Sequence, residues 1–382
     1  MAPASTTTAT EILDALVRIP SVSSLSNRPV IEYAGSLLQQ AGWQTHALPY
    51  HDANGVEKIN LLAMPSTQNL DAPAVDLAFV CHTDTVPYNA TWSGATQPVV
   101  QDGMLHGCGA CDVKGFLACV LGACVRVPVQ QIDGTVAIVL TAEEEIGCLG
   151  AQRLVASGVV RPRRVVIGEP TMLHPARAGK GYCLAEITVH GKEAHSAHPA
   201  QGASAIYRAA RLIAAIERYA TGLQRTTHPL FDPPYTTLNI GRIEGGTAKN
   251  IVPGECRFLL EWRPIPGPSA ELVPDAIAAL ARELRCEDPD FDCSVKPLRQ
   301  QNGFDTAAGS PLVQRLTALT QRPAIAVPFG TEAPYFATLA EEVVVLGPGD
   351  MRTAHSDREC VPIAELDACV GCLADLLLRH IL

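Results

Sequence analysis

Positive charge is scarce in this sequence, and charged residues of either sign are few. The 382 residues include 29 Lys or Arg and 39 Asp or Glu, which gives a net charge of -10 and a charged fraction of 18%. Nucleic acids and anionic membranes attract basic surfaces, so this balance argues against both as partners. We therefore expect the partner to be a small molecule.

Long hydrophobic runs are also missing. No stretch approaches the roughly 18 uninterrupted apolar residues typical of a membrane-spanning helix. The first ten residues lack the basic and apolar regions of a secretory signal. These absences predict a cytoplasmic protein, and 47% hydrophobic residues in a chain of this length allow two compact units.

Cysteine is plentiful, but its pattern does not favour disulfides. The 13 cysteines are an odd number in a large chain, and several fall within apolar patterns that predict small buried side chains. Cys108-x-x-Cys111 and Cys369-x-x-Cys372 each have the spacing of half a zinc ribbon. They lie far apart, and the second falls in a helix-like run, so reduced thiols are the better prediction and a cysteine zinc site the lesser alternative.

Strand-like and helix-like patterns alternate along the first half of the chain. Helical patterns are predicted from a cap at Thr8 or Thr10 and over residues 31–40, with further helices after Asp112 and after Cys148. Apolar runs typical of buried strands occupy residues 59–63, 77–81, 136–141 and 165–168. This alternation predicts an α/β fold with a mixed, mostly parallel sheet flanked by helices.

The pattern changes after Gly179. Residues 183–189 and 256–262 alternate between apolar and polar side chains, as half-buried antiparallel strands do. A helix with Ile206, Ala209, Ala210, Ile213 and Ile216 on its buried face, a second helix over 270–284 and a strand near 291–295 complete a β-α-β-β-α-β order. We expect a ferredoxin-like α+β domain at 179–297, inserted between two parts of a catalytic domain at 1–178 and 298–382.

His82 and Asp84 immediately follow an apolar strand that Pro87 prevents from continuing. Open α/β sheets build their sites at such carboxyl ends of strands. In an extended segment both side chains point the same way, so Asp84 could orient the imidazole of His82 behind a metal ion. A satisfied structural histidine explains this pair equally well when it is considered alone.

Other acids and one histidine occupy similar positions: Asp112 before a helix, residues 143–145 and Glu169 after strands, and His355 after the last strand. Each has a simpler explanation, such as a helix cap for Asp112 or a solvated charge run for Glu143, Glu144 and Glu145. Together they form a nitrogen and oxygen ligand set suited to zinc or a related divalent ion. No Gly-x-Ser-x-Gly elbow or His-Glu-x-x-His helix offers a rival hydrolytic site, so a metallohydrolase is predicted.

The ordered motifs resemble those of the dinuclear zinc aminoacylase and carboxypeptidase family. They are residues 82–87, 109–115, 143–145 and 168–171, followed by His355. The resemblance implies two divalent ions, zinc or else cobalt, bridged by Asp112. It implies His82 and Glu169 as further ligands of one ion, Glu145 and His355 as those of the other, and Glu144 as the general base.

The resemblance extends to the inserted domain, where residues 191–199 are similar to a lid segment. It implies that His195 reaches the active site of a neighbouring subunit, that the lid forms a homodimer, and that Asn250 and Arg263 contact substrate. Residues 329–336 are similar to the family branch that hydrolyses N2-acetyl-L-ornithine in arginine biosynthesis, which suggests substrate roles for Thr331 and Glu332. A structural role for Glu332 is an alternative.

Other outcomes stay open at this point. The chain could deacylate acetylcitrulline, another N-acyl amino acid or succinyl-diaminopimelate, or it could cleave a dipeptide. Residues 329–336 contain no arginine to meet the second carboxylate of a succinyl group. A binding protein without catalysis is the alternative from another class, but such a protein would be expected to have lost a ligand or the base.

Overall fold

A computed structural model describes residues 7–70 and 74–379. Its helices are α1 (Ala9–Val17), α2 (Arg28–Gln40), α3 (Lys114–Arg126), α4 (Leu149–Ser157), α5 (Ala205–Leu223), α6 (Leu272–Glu287), α7 (Pro311–Thr320), α8 (Ala333–Phe336) and α9 (Ile363–Leu378). Its first strands are β1 (Trp43–His51), β2 (Glu57–Pro65), β3 (Ala74–His82), β4 (Val99–Gln101), β5 (Met104–His106), β6 (Val136–Thr141), β7 (Arg161–Gly168), β8 (Ala176–Gly179) and β9 (Cys183–His190). The remaining strands are β10 (Ala194–His195), β11 (Thr237–Gly245), β12 (Ile251–Val252), β13 (Glu255–Arg263), β14 (Asp292–Arg299), β15 (Phe304–Asp305), β16 (Ile325–Val327), β17 (Glu342–Leu346) and β18 (Cys360–Pro362).

The chain forms two compact units. The first comprises the described residues of Met1–Arg177, Asp305–Ile325 and Thr331–Leu382, and the second comprises Ala178–Phe304 and Ala326–Gly330. The second unit therefore continues past residue 297, where the sequence placed its end. None of the helices in the described ranges is long and apolar enough to cross a membrane.

The first unit is built on a sheet with the strand order β1-β2-β6-β3-β7-β17-β8-β15, and β16 pairs with β8. The central strands β6, β3, β7 and β17 are parallel, whereas β2 joins β6 in the antiparallel direction. Residues of β6 are buried throughout, as expected for a strand covered on both faces. The predicted mixed α/β fold with a parallel centre is confirmed.

Helices α1, α3 and α9 contribute to the main core of this unit. Thr8 begins α1 with a capping box, in which its hydroxyl accepts from the Glu11 backbone N–H and the Glu11 carboxylate accepts from the Thr8 backbone N–H. Helix α3 is buried from Lys114 to Cys124, which explains its apolar sequence on all sides. None of the 13 cysteines, all of which the structure describes, is joined in a disulfide.

The second unit is an antiparallel sheet with the order β11-β13-β9-β14. Strand β9 alternates between buried and half-buried residues, and β13 presents Cys256, Phe258, Leu260 and Trp262 to the core, as its sequence predicted. The predicted face of α5 was partly wrong, because Ile206 is exposed. The helix buries Ala205, Arg208 and Leu212 instead, and Arg208 is held there by Asp288.

Candidate metal centre and active site

One edge of the parallel sheet collects the polar side chains singled out in the sequence. His82 is the last residue of β3, residues 143–145 follow β6, Glu169 follows β7, and His355 lies in the loop after β17. Because these four strands are parallel, their carboxyl ends lie side by side. This is the edge at which open α/β sheets form their sites.

The imidazole of His82 is buried and held from both sides. Its Nδ1 lies 3.1 Å from the Asp84 backbone oxygen, and its Nε2 lies 3.2 Å from Asp112 Oδ1. A carbonyl oxygen can only accept a hydrogen bond, so Nδ1 carries a proton and the neutral ring has its lone pair on Nε2, facing Asp112. Burial opposes a positive charge on His82, but the carboxylates of Asp112 and Asp84 outweigh it and raise its pKa.

Asp84 holds the acidic turn in addition to flanking His82. Its carboxylate accepts the Ser23 hydroxyl at 2.6 Å and the backbone N–H groups of Glu144 and Glu145 at 3.1 and 3.4 Å. The same carboxylate is 3.6 Å from His82 Nδ1, which is longer than the 3.1 Å from Nδ1 to the Asp84 backbone oxygen. Asp84 was predicted to orient the His82 ring, and in the structure it contacts the ring chiefly through its backbone oxygen. Burial would raise the pKa of Asp84, but these partners lower it.

Asp112 faces two histidines with its two oxygens. Oδ1 lies 3.2 Å from His82 Nε2, and Oδ2 lies 3.1 Å from His355 Nε2. Burial opposes its charge, yet the two imidazoles lower the pKa of Asp112 below its usual value. Its helix-cap alternative does not hold, because Val113 occupies the N-cap of α3 and no side chain caps that helix.

The three consecutive glutamates of the turn face different partners. Glu143 has a left-handed backbone, and its carboxylate accepts the Tyr50 hydroxyl at 2.9 Å. Glu144 accepts the Cys148 thiol at 3.1 Å, and burial raises the pKa of Glu144 to about 7. Glu145 places one oxygen 3.2 Å from His355 Nε2, and its other oxygen is buried with no hydrogen-bond partner among the described residues.

Two ligand groups result, and they share Asp112. The first is His82, Asp112 and Glu169, and the second is Asp112, Glu145 and His355, with the candidate ligand atoms of each group within 4.8 Å of one another. Burial and the charges of Asp112 and Glu144 raise the pKa of Glu169 well above its usual value. A cation would relieve the repulsion between these neighbouring carboxylates. It would also bind the Glu145 oxygen that has no hydrogen-bond partner among the described residues. The nitrogen and carboxylate set fits zinc and related divalent ions.

Thr331 and Glu332 lie in the first unit, and both are buried. The Thr331 hydroxyl accepts the Ala333 backbone N–H at 3.1 Å, at the start of α8. Within the part of the chain that the structure describes, neither oxygen of Glu332 has a hydrogen bond of ordinary geometry, and burial raises the pKa of its carboxyl to about 8. In this conformation the Glu332 carboxyl is enclosed by protein.

The remaining predicted residues belong to the second unit. His195 is exposed in β10, which pairs with β12 so that His195 is opposite Ile251, and the Asn250 backbone oxygen accepts from Ser196 at 3.0 Å. Arg263 stacks on the ring of Tyr182, with its guanidinium carbon 3.6 Å from the ring centre, and also pairs with Glu261.

Several residues that contact the site were missed in the sequence. They are Ser23 below Asp84, Tyr50 at Glu143, Cys148 at Glu144 and Glu359 behind the loop of Asp112. Ser23 and Tyr50 lie in segments without a recognisable motif. Cys148 follows Glu144 by only four residues, so its proximity could have been suspected from the turn.

A cavity of about 360 Å³ opens beside His355 in the first unit. It is lined by Tyr88, Trp92, Ser356 and Asp357 among others, and the rings of Tyr88 and Trp92 meet edge to face at 6.3 Å. Its volume is in the range of small-molecule sites.

Comparison with known proteins places this geometry in a family. Residues 78–379 match the model of peptidase family M20/M25/M40. An acetylornithine deacetylase from Myxococcus xanthus is 44% identical over 363 residues, which cover 95% of this chain and 94% of that protein. An acetylornithine deacetylase from Aliivibrio fischeri is 31% identical over 327 residues and covers 85% of each chain.

Solved structures agree on the fold. A tripeptidase from Staphylococcus aureus superposes with a TM-score of 0.75 at 21% identity, covering 97% of both chains. A dinuclear metal-binding peptidase from Bacillus subtilis superposes with a TM-score of 0.69 at 15% identity, covering 98% of this chain and 97% of that one. By its sequence match and its relatives, the chain belongs to peptidase family M20/M25/M40.

Proposed function

We propose that this chain hydrolyses the amide of N2-acetyl-L-ornithine to L-ornithine and acetate, using two divalent ions. The observation that carries the proposal is a half-buried carboxylate, Glu144, whose pKa is raised to about 7, in the same turn as a member of two ligand groups that share Asp112. A metal pair with an adjacent base is one arrangement that catalyses amide hydrolysis.

The substrate is proposed from relatives and from sequence. The two relatives described above are acetylornithine deacetylases, and the chain covers most of the length of each. Residues 329–336, which resemble the branch acting on acetylornithine, lie partly in the first unit together with the candidate ligands. The cavity beside His355 offers a place for a small acyl amino acid.

In the proposed mechanism, His82 and Glu169 would hold one ion and Glu145 and His355 would hold the other, with Asp112 common to both ligand groups. When bound, the ions supply Lewis acidity to the amide carbonyl and make water easier to deprotonate. Glu144 takes the proton of the attacking water and delivers it to the leaving amine, and its raised pKa suits this exchange. Asp84 fixes the backbone of Glu144 and Glu145 during the reaction.

We further propose zinc as the ion, with cobalt as a substitute, and a cytoplasmic role in arginine biosynthesis. The His and carboxylate donors support zinc among the available metals, and carboxylates alone would favour magnesium or calcium. Asn250 and Arg263 are proposed to contact the substrate. Thr331 and Glu332, which are buried, are also proposed to take part in substrate binding.

A homodimer formed through the second unit is also proposed, with His195 donating to the oxyanion in the partner's site. Two observations support an interface there. Strand β11 lies at an edge of its sheet, and the nearby side chains of Ile206, Tyr207 and Ile243 are exposed, with Tyr207 76% exposed. A groove of about 730 Å³ next to Tyr207 is lined by residues of the same unit.

Turnover of a substrate panel tests the proposal. The zinc-loaded enzyme would be assayed with N2-acetyl-L-ornithine, acetylcitrulline, acetylmethionine and succinyl-diaminopimelate. We expect the highest kcat/KM for acetylornithine. A preference for another member of the panel would keep the metallohydrolase but replace its substrate, and inactivity on every acyl amino acid would reject amide deacylation.

A further inference from the structure

We propose that Glu359 is a positioning residue for the metal centre, which fixes the loop that carries the bridging ligand Asp112. This carboxylate is buried, with 2% exposure, and it is neither a predicted ligand nor a member of either ligand group. The proposal rests on the proposed metal centre and adds a residue that supports it.

The carboxylate of Glu359 accepts three backbone N–H groups from one short loop. Oε2 accepts from Gly109 at 3.0 Å, and Oε1 accepts from both Cys111 and Asp112 at 3.1 Å. A buried carboxylate surrounded by backbone donors is strongly held, because its charge and its lone pairs are satisfied by groups that cannot rotate away. Both oxygens therefore accept from the loop of residues 109–112, and Glu359 belongs to neither candidate ligand group.

The backbone of Glu359 and Cys360 contacts the residues at the start of the same loop. Its carbonyl oxygen accepts from Gly107 at 3.2 Å, and the next residue, Cys360, pairs with His106 in the β18–β5 ladder. The loop of residues 107–112 is therefore fixed at its start by backbone pairing and at its end by the Glu359 side chain.

This arrangement joins both halves of the ligand set. Glu359 follows His355 by four residues, and its own N–H donates to the Ser356 oxygen at 3.1 Å, so it belongs to the turn that carries His355. It also holds the backbone N–H of Asp112, whose two oxygens lie 3.2 and 3.1 Å from His82 and His355. Small movements of the Asp112 backbone would alter both ligand groups together.

Glu359→Gln tests the inference, because the amide keeps the size of the side chain but replaces one acceptor with N–H donors that oppose the loop. Groups that orient metal ligands typically contribute about 10–100-fold in metal affinity. We expect a loss of this size in the affinity for Co²⁺ and Zn²⁺, and a changed visible spectrum of the cobalt form. Affinity would be measured on metal-free protein by competition with a chromophoric chelator, and folding by circular dichroism.

Asp76→Asn is the matched control. Asp76 also tethers a loop, accepting the Thr135 N–H at 2.8 Å and its hydroxyl at 2.7 Å, but it lies on β3 near the end opposite His82. This variant should bind both ions as the wild type does. Wild-type metal affinity in folded Glu359→Gln, or loss of the fold in that variant, would overturn the positioning role. Failure of the wild type itself to bind Zn²⁺ or Co²⁺ would overturn the proposed function as well, which separates the two results.

Discussion

Three neighbouring carboxylates of one turn have three environments, and this determines which of them can act as the base. The Glu143 carboxylate accepts a hydrogen bond from the Tyr50 hydroxyl, and a Glu145 oxygen lies 3.2 Å from His355 Nε2. Glu144 is the one of the three with neither a tyrosine hydroxyl nor a ligand imidazole among its hydrogen-bond partners in the described structure. The sequence shows three equivalent acids, whereas the left-handed backbone of Glu143 turns the chain so that they diverge.

Replacing Glu144 with Ala should lower kcat by roughly 10²–10⁴ while leaving two ions bound, since a positioned proton-transfer group contributes about this much. Rate and metal content would be measured on the same sample. Glu143→Gln is the control, because its side chain faces Tyr50, and it should affect stability more than rate. Loss of metal from Glu144→Ala would reassign the residue as a ligand.

Cys148 should support the base through its thiol, which lies 3.1 Å from Glu144 Oε1. Cys148→Ala removes the donor, and we expect kcat to fall by roughly tenfold. A tenfold change corresponds to about 1.4 kcal/mol, which is close to the contribution of one hydrogen bond to a charged group. Cys148→Ser retains a donor and should recover most of the rate with KM unchanged. Equal rates for the Ala variant and the wild type would show that the contact is incidental.

The role proposed for Glu359 could not be predicted from the pattern of side chains in the sequence. The candidate ligand residues are visible in the sequence because each lies after a strand or before a helix and has a side chain suited to a metal ion. The partners of Glu359 are backbone N–H groups about 250 positions earlier in the chain, such as that of Gly109. No pattern of residue types records such a contact, because any residue supplies the same N–H.

At the scale of elements, the sheet edge concentrates negative charge. The carboxyls of Glu144, Glu145 and Glu169 all have raised pKa values, for which burial is the first cause, and His82 and His355 also have raised pKa values because of neighbouring carboxylates. In each case the folded protein without metal binds a proton more tightly than the unfolded chain does. Stability linked to these groups is therefore lost as pH rises through their folded pKa values.

Metal-free protein should accordingly melt at a lower temperature at pH 8.5 than at pH 5.5, because groups with raised pKa values in the folded protein lose their stabilising effect as pH rises. The lowered pKa values of Asp84 and Asp112 affect only more acidic solutions. Bound ions replace the protons, so the metal-loaded protein should lose less stability over this range. Melting curves with and without zinc would show this, and parallel curves would contradict the charge argument.

Elements with strong periodicity were predicted well, and weak patterns were not. The bounds of β6 match the expected range 136–141, and the expected strands at 77–81 and 165–168 lie within β3 and β7. Strand β1 was missed because its residues are mostly half-buried or exposed and include polar side chains in no clear alternation. The buried face of α5 was misplaced because Arg208 is buried by pairing with Asp288, which apolar periodicity cannot reveal.

For the whole molecule, the account predicts that His195 acts in the partner's site. His195→Ala and Glu144→Ala homodimers should each be nearly inactive. A mixed dimer combines an intact Glu144 in one subunit with an intact His195 of the other, so one of its two sites is complete. Random reassortment at equal ratio should therefore recover roughly a quarter of wild-type activity in the mixture and roughly half in the purified mixed dimer.

The mixed species would be purified with two different tags after co-expression. Activity no higher than that of the two parents, in a dimer shown to contain both chains, would mean that His195 serves its own subunit or has no catalytic role. The sequence could suggest this arrangement only by resemblance, because the contacts that assemble two chains are not encoded in any local pattern.

The central claim is that two ions gathered at one sheet edge let this chain deacetylate N2-acetyl-L-ornithine. The most direct measurement is the release of ornithine as Zn²⁺ is titrated into chelated, metal-free enzyme. We expect no turnover without metal and a rise in turnover that is complete at two equivalents of Zn²⁺. Full turnover with metal confirmed absent, or no release of ornithine with two ions bound, would contradict it.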